Sequence, residues 1–528
     1  MKYLKLPVMI AVAAALTTGC TKKFEQYSQN ANQPLPGKVP ASIVLKSILN
    51  DIVVQPAGDA DHQCQFTCSN YVYYGLNTYW TGSATLDYSD LNNILAMESE
   101  ARRAVNGSDN NPYHAMGLFL RAFFFVNMTE KVGDLPMTDA LKGLTNLTPK
   151  YDSQKDIFKQ ALVWLDSANT LLAGQIAANN YEFSGDFYFA DRIGNGTPAL
   201  VQWQKVVNSY KLRVLIELSK RAADNADMNI PQQFANIFSH PSQYPIFTSS
   251  TDNLQYVYNT TYNYYPDNIT NYGNNQIRVN LAATLETTLG KLHDLRAMVF
   301  GEPARGLGFA DTAYESFVGA PSGMDLSTMS NLIGSGLKDS KLSLYNRHLF
   351  YSGYTGQPTY ILSYSEVCFC IAEAINRGWI TDDAAAWYRK GVTSEFAFHG
   401  IVDGANTVTL MDAGGNEIGY PVHFAFDDYF NQPAIKYAGN NATGLAQILL
   451  QKYLAYARNS GYQPYFQWRR TGVPAFDAGP GTGNGGVIPR RWQYPTNEAT
   501  ANGTNLNAAL QSQFGGSDDI NKDVWLVK

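Results

Sequence analysis

Charge is scarce in this sequence, and histidine and cysteine are scarcer. Asp, Glu, Lys and Arg make up 16% of the 528 residues, and 39 basic side chains face 45 acidic ones. Without a basic surplus to neutralise phosphates, the balance argues against nucleic acid as the main partner. The seven histidines show no HExxH and no His-x-His spacing, and the five cysteines contain no CxxC pair. The expectation is therefore no metal and no other cofactor. There is no nucleophile elbow and no phosphate loop either, and GNGG at 483–486 lacks the strand and helix of a dinucleotide turn. A 45% hydrophobic fraction beside so little charge excludes both a disordered chain and a multi-span membrane protein. Aromatic rings are what the chain has in excess: Tyr 34 outnumbers Phe 26. Each phenol needs a hydrogen-bond partner or water, so many of these rings belong at a polar surface.

The amino terminus reads MKYLKLPVMIAVAAALTTGC. Lys2 and Lys5 precede an apolar run from Leu6 to Leu16, too short for a membrane-spanning helix, which needs about 20 residues. The run ends in small residues and Cys20, an arrangement that resembles a bacterial lipoprotein signal. It implies removal of residues 1–19 and lipidation of Cys20, with several acyl chains giving a stable anchor. In an exported chain Cys64 and Cys68 are spaced to close a short loop. Cys368 and Cys370, two apart on a helix, read as buried thiols.

Helical periodicity recurs along the chain. From Ser153, the positions Ile157, Ala161, Leu165, Ala168 and Leu172 form one apolar stripe, with Ser153 as cap and Gly174 as stop. Trp203, Val207, Tyr210, Val214 and Leu218 form another. Val367, Ile371 and Ala374 lead to Gly378, and Thr381 then caps a helix carrying Ala385, Tyr388, Val392 and Phe396, which makes a helical hairpin. Further helices fit 110–131 and 443–460. Between them lie long polar, aromatic loops at 69–90 and 256–280 and a Gly/Pro-rich segment at 474–489. No strict repeat is visible, and the class expected is mainly α with large irregular excursions.

Several motifs carry a structural reading. Gly133-Asp134-Leu135-Pro136 ends a helix and turns the chain. Arg469 and Arg470 pair with carboxylates such as Glu366 or Glu373. Asp87, Asp90, Asp267 and Asp294 are the acids a helical glycoside hydrolase or lyase would draw on, but sequence alone places no two of them across a sugar. The aromatic loops are the binding candidates. A flat ring makes dispersion contact with the C–H face of a sugar, while polar side chains satisfy its hydroxyls. Tyr73, Asn77, Tyr79 and Trp80 are the candidates in the first loop, and Tyr264, Tyr272, Asn274 and Arg278 those in the second.

Six blocks in order resemble the SusD/RagB-like outer-membrane nutrient-binding lipoproteins, particularly the starch-binding branch. They are KVGDLPMTDAL from Lys131, PKYDSQKDIFKQALVWLDSA from Pro149, WQKVVNSYKLRVLIEL from Trp203, SYSEVCFCIAEAINRG from Ser363, QKYLAYARNSGYQPYFQWRRTGVP from Gln451 and IPRRWQYPTNE from Ile488. The resemblance implies a scaffold of tetratricopeptide-like helix pairs, a SusD-like α-α superhelix, with loops building the ligand surface over one domain, 20–528. It also implies a lipid-anchored protein on the outer face of the outer membrane, the lid of a SusC-like TonB-dependent transporter. Such proteins capture oligosaccharides, or in some branches peptides, and perform no chemistry of their own. In that family a ligand-stacking tryptophan with a nearby asparagine falls where Trp80 and Asn77 stand.

Overall fold

A computed structural model describes residues 39–79, 82–189, 198–458 and 460–528; Cys20, the segment 1–19 and Trp80 lie outside the described residues. Among the described residues, eleven helices of nine residues or more carry the argument below. They are α1 Ala41–Asp51, α2 Tyr88–Ala104, α3 Pro112–Val132, α4 Gln154–Ala177, α5 Ala199–Glu217, α6 Ile230–Ser239, α7 Tyr364–Asn376, α8 Ala384–Phe398, α9 Ala442–Ala455, α10 Gln463–Thr471 and α11 Gly503–Phe514. Strands are short and pair only in twos, all antiparallel: β1 Thr67–Ser69 with β3 Val279–Leu281, β2 Leu254–Tyr256 with β4 Thr359–Leu362, and β5 Gly404–Met411 with β6 Glu417–Phe424. The fold is mainly α, built from tetratricopeptide-like pairs such as α3/α4, α5/α6 and α7/α8. No helix among the described residues is long and apolar enough to cross a membrane.

The pairs form where periodicity places them. Ile157, Ala161, Leu165, Ala168 and Leu172 are all fully buried, as are Trp203, Val207 and Val214 on α5 and Leu218 just past its end. Ser153 caps α4 by accepting from the Asp156 amide. Gly174 does not stop that helix, because its φ stays helical there; the turn comes at Asn179, in the left-handed region at φ 53. On α8 the cap is Asp383, which accepts from the Ala386 amide, instead of Thr381. Ala385 is exposed, and the buried face is Ala384, Tyr388, Val392 and Phe396. α9 ends at Ala455, short of Gly461, because the chain turns at Arg458 with φ 57.

One continuous apolar cluster runs from Ala41 to Val527, with a smaller one around Cys68, Ala282, Met329 and Leu344. Two buried ion pairs fasten the scaffold. The Arg213 guanidinium donates to Glu366 through Nε and Nη2 (2.6 and 2.5 Å), joining α5 to α7. Arg470 donates to Glu373 at 2.5 Å, joining α10 to α7, while Arg469 donates to the backbone oxygens of Glu130 and Arg490. Arg470 thus takes the carboxylate the sequence reading assigned it, and Arg469 takes none. Stranding one member of such a buried pair costs about 3–5 kcal/mol. Gly133, at φ 98, closes α3, and Asp134 accepts from the Gln154 amide at 2.8 Å.

Cys64 and Cys68 are free thiols, not a disulfide. Cys64 belongs to the main cluster and points its sulfur at the Gly461 carbonyl, whereas Cys68 sits on β1 against Ser322 in the smaller cluster. Cys368 and Cys370 are buried thiols.

Candidate functional site

The β1–β3 ladder brings the two aromatic loops side by side. Ser69 pairs with Val279, and Asn70 continues the contact: its amide donates to Arg278 O at 3.0 Å and its Nδ2 to Ile277 O at 2.7 Å. The first loop is then closed by Asn77. Its Oδ1 accepts from the Ser69 amide (2.7 Å) and its Nδ2 donates to the Ser69 carbonyl (2.8 Å), so the carboxamide acts as one more rung of backbone pairing. Gly75, at φ 138, allows this closure, since a Cβ there meets Ser69 Oγ at 3.0 Å. Between these ties the chain projects Tyr71, Val72 and Tyr73 outward, Tyr73 being 82% exposed.

Asn77 and Tyr79 face the other way. Asn77 is 2% exposed and Tyr79 3%. The Tyr79 hydroxyl donates to Gln63 O at 2.6 Å and its ring packs near Tyr465. Both residues hold the loop in place from beneath and present nothing to solvent. Beside them His62 is kept below its usual pKa by burial, so it stands as a neutral imidazole 3.3 Å from Ser69 Oγ.

The second loop repeats the division of labour. Asn259 Oδ1 accepts from the amides of Thr261 and Tyr262 (2.9 and 3.0 Å), Asn268 Nδ2 donates to Tyr265 O at 2.9 Å, and Asn271 Nδ2 donates to Pro266 O at 2.8 Å. These amides fix the loop while rings point out, Tyr262 to 86% and Tyr264 to 46% exposure. Tyr264 lies against Tyr354, ring centroids 4.6 Å apart. Tyr272 is half-buried against Tyr351, with the Arg347 guanidinium over its ring at 5.1 Å. Burial raises its phenol pKa. Asn274 lies on the same short turn, Tyr272–Asn275, and Arg278 follows with its guanidinium over Tyr71 at 5.0 Å.

The alternation of Tyr with Asn therefore has a different meaning from the one expected. Asn77, Asn259, Asn268 and Asn271 satisfy backbone, which leaves arginines and exposed main chain as further partners for ligand hydroxyls.

Beneath both loops lies Arg458, which sequence reasoning missed. Its Nε donates to Asp61 (3.2 Å) and its Nη2 to Asp267 (2.5 Å), so one side chain ties the root of the first loop to the middle of the second. The guanidinium lies against the adjoining rings of Tyr345 and Phe350, 4.4 and 4.3 Å from their centroids. Burial works against its charge, yet the facing phenols of Tyr345 and Tyr265 and the two carboxylates outweigh burial and raise its pKa. The only readable signal for it is a basic residue inside an otherwise apolar-aromatic block.

The acids considered for hydrolysis are committed elsewhere or displaced. Asp267 belongs to Arg458, and Asp294 is fully buried with Arg296 at 2.7 Å and the Tyr429 hydroxyl at 2.6 Å. Asp87 and Asp90 sit at the start of α2, where burial raises both, Asp90 to about 6. Among the described residues no group of three or more His, Cys, Asp or Glu could hold a metal ion. Two cavities, of about 890 and 500 Å³, are lined by other segments, around Tyr113 and Tyr181 and around Lys211 and Tyr244.

Comparison with known proteins gives a consistent result. A family model, SusD-like and described as starch-binding associating with outer membrane, matches residues 60–495. The crystal structure of a SusD homolog from Bacteroides fragilis is 26% identical, covers 93% of this chain and 100% of its own, and superposes with a TM-score of 0.78. A second SusD homolog from the same organism is also 26% identical over 93% and 99% of the two chains, with a TM-score of 0.73. A chitin-binding SusD homolog from Flavobacterium johnsoniae shares the fold at 18% identity, 92% and 98% coverage and a TM-score of 0.62. No curated protein matches the chain.

Proposed function

Because this chain belongs to the SusD-like family of outer-membrane-associated, nutrient-binding proteins, we propose that it captures an oligosaccharide at the cell surface and delivers it to a SusC-like TonB-dependent transporter. The observation that carries the reading is the ring surface: Tyr71, Tyr73, Tyr262 and Tyr264 stand exposed on loops whose own amides and whose buried Arg458 hold them rigid. Rings carried on tied-down loops give dispersion contact to sugar faces with less backbone ordering on binding. Trp80 directly follows the anchored Tyr79 and is taken as a further stacking residue. The chitin-binding relative supports a glycan over a peptide. The mechanism contains no bond-making step and no cofactor.

In this proposal residues 1–19 are removed, Cys20 carries the lipid, and residues 20–528 act as one unit tethered to the outer membrane. Cys20→Ser should release the protein from the membrane fraction. Capture is tested with a glycan array probed by the purified chain, followed by calorimetry on the hits. Binding to peptides with silence on every glycan would replace the proposed ligand class. Shortening of a polysaccharide on prolonged incubation would overturn the non-catalytic reading.

A further inference from the structure

The charge of the ring surface runs opposite to that of the chain. The whole sequence carries a formal charge of −6. The three segments that build the surface, 70–78, 257–278 and 345–357, contain a single carboxylate, Asp267, and it is buried against Arg458. The same segments contain Arg278, Arg347 and His348. Arg347 and His348 share one carboxylate from β6, Glu417, at 2.8 and 3.2 Å. Arg278 has none: among the described residues its guanidinium lies over the Tyr71 ring and no side-chain hydrogen bond or ion pair takes its donors.

A planar guanidinium stacked on a ring is held in orientation, and its fork matches a carboxylate or sulfate in a bidentate fashion. Partly shielded by that ring, the charge is worth more than one in open water. We propose that the surface selects anionic sugars, with Arg278 pairing the carboxylate of a uronic acid or a sulfate ester while the exposed tyrosines face the pyranose. This rests on the capture reading above and adds the charge of the ligand to it.

The test is titration calorimetry of the full chain with three probes: tetragalacturonate, which carries carboxylates only, a kappa-carrageenan tetrasaccharide, which carries sulfate esters only, and neutral maltotetraose. At least one charged probe should bind about tenfold tighter than the neutral one, the worth of one charge-assisted pair. Which charged probe is preferred tells carboxylate from sulfate. The preference should shrink when salt is raised from about 50 to about 500 mM, because a partly exposed pair is screened. Arg278→Gln should abolish it, and the wild-type comparison stands by itself if that variant does not fold. Maltotetraose binding as tightly as both charged probes, or a preference that survives Arg278→Gln, would overturn the inference and leave the capture reading intact. Silence with all three probes and across a glycan array would remove both.

Discussion

Arg458→Met isolates what the buried guanidinium does for the ligand loops. Methionine is close to arginine in volume, unbranched and apolar enough to lie against Tyr345 and Phe350, so most of the apolar packing is kept. What is lost is the partner of two carboxylates, Asp61 and Asp267, each with a side chain only 6% exposed. Deleting one member of a buried ionic group costs about 3–5 kcal/mol. Arg458 Nη1 is itself buried without an acceptor, so removing it relieves one unsatisfied donor and puts the expected loss near the lower end, about 3 kcal/mol. The loss is local. Hydrogen exchange read by mass spectrometry should accelerate in 57–76 and 257–271 while α4 and α5 keep their protection. Ligand affinity should fall although Arg458 is buried beneath the loops. Adding Asp61→Asn and Asp267→Asn removes the stranded charges and should restore more than half of the lost protection. Equal exchange in wild type and Arg458→Met, or a triple variant no better than the single one, would refute the reasoning.

Other expectations follow from the same geometry. Tyr73→Ala and Tyr262→Ala remove rings that are almost wholly in solvent, so melting should shift little, within about 0.5 kcal/mol. Each should nonetheless weaken oligosaccharide binding by an amount on the order of 1 kcal/mol by calorimetry. Asn77→Ala leaves the Ser69 amide and carbonyl unpaired and should destabilise by about 1–3 kcal/mol in urea unfolding, with a parallel loss of affinity. Glu302 accepts from the amides of Arg347 and Met411, and burial raises its pKa from 4.5 to about 7. A carboxyl raised in the folded state stabilises most below its unfolded pKa, and that contribution is lost as pH climbs from about 4.5 to about 7. Glu302→Gln should therefore gain up to roughly 3 kcal/mol on wild type across that window, seen as converging or crossing melting curves between pH 5 and 7.

The scaffold was legible because burial of one helical face is a local property. The stripe from Ile157 to Leu172 and the Ser153 cap need no knowledge of the rest of the chain. Boundaries were less so: Gly174 tolerates helical φ when α4 is packed on both sides, and only the tertiary turn at Asn179 ends it. In the site, the loops themselves stood out by composition, but the direction of each side chain did not. Asn77 and Tyr79 point inward because Ser69 and Gln63 await them, partners set by loop closure and not by neighbouring residues. Arg458 bridges residues 397 and 191 positions away, a relation no window of sequence displays.

Tyr73 and Tyr262 stand almost wholly in solvent, outside the two cavities described above. A closed pocket counts the units of its guest and demands a terminus; an open bench does neither. If the proposed capture runs on such rings, a strand is held anywhere along its length and released one residue at a time, so that a long polymer slides across while short fragments, touching fewer rings, depart soonest.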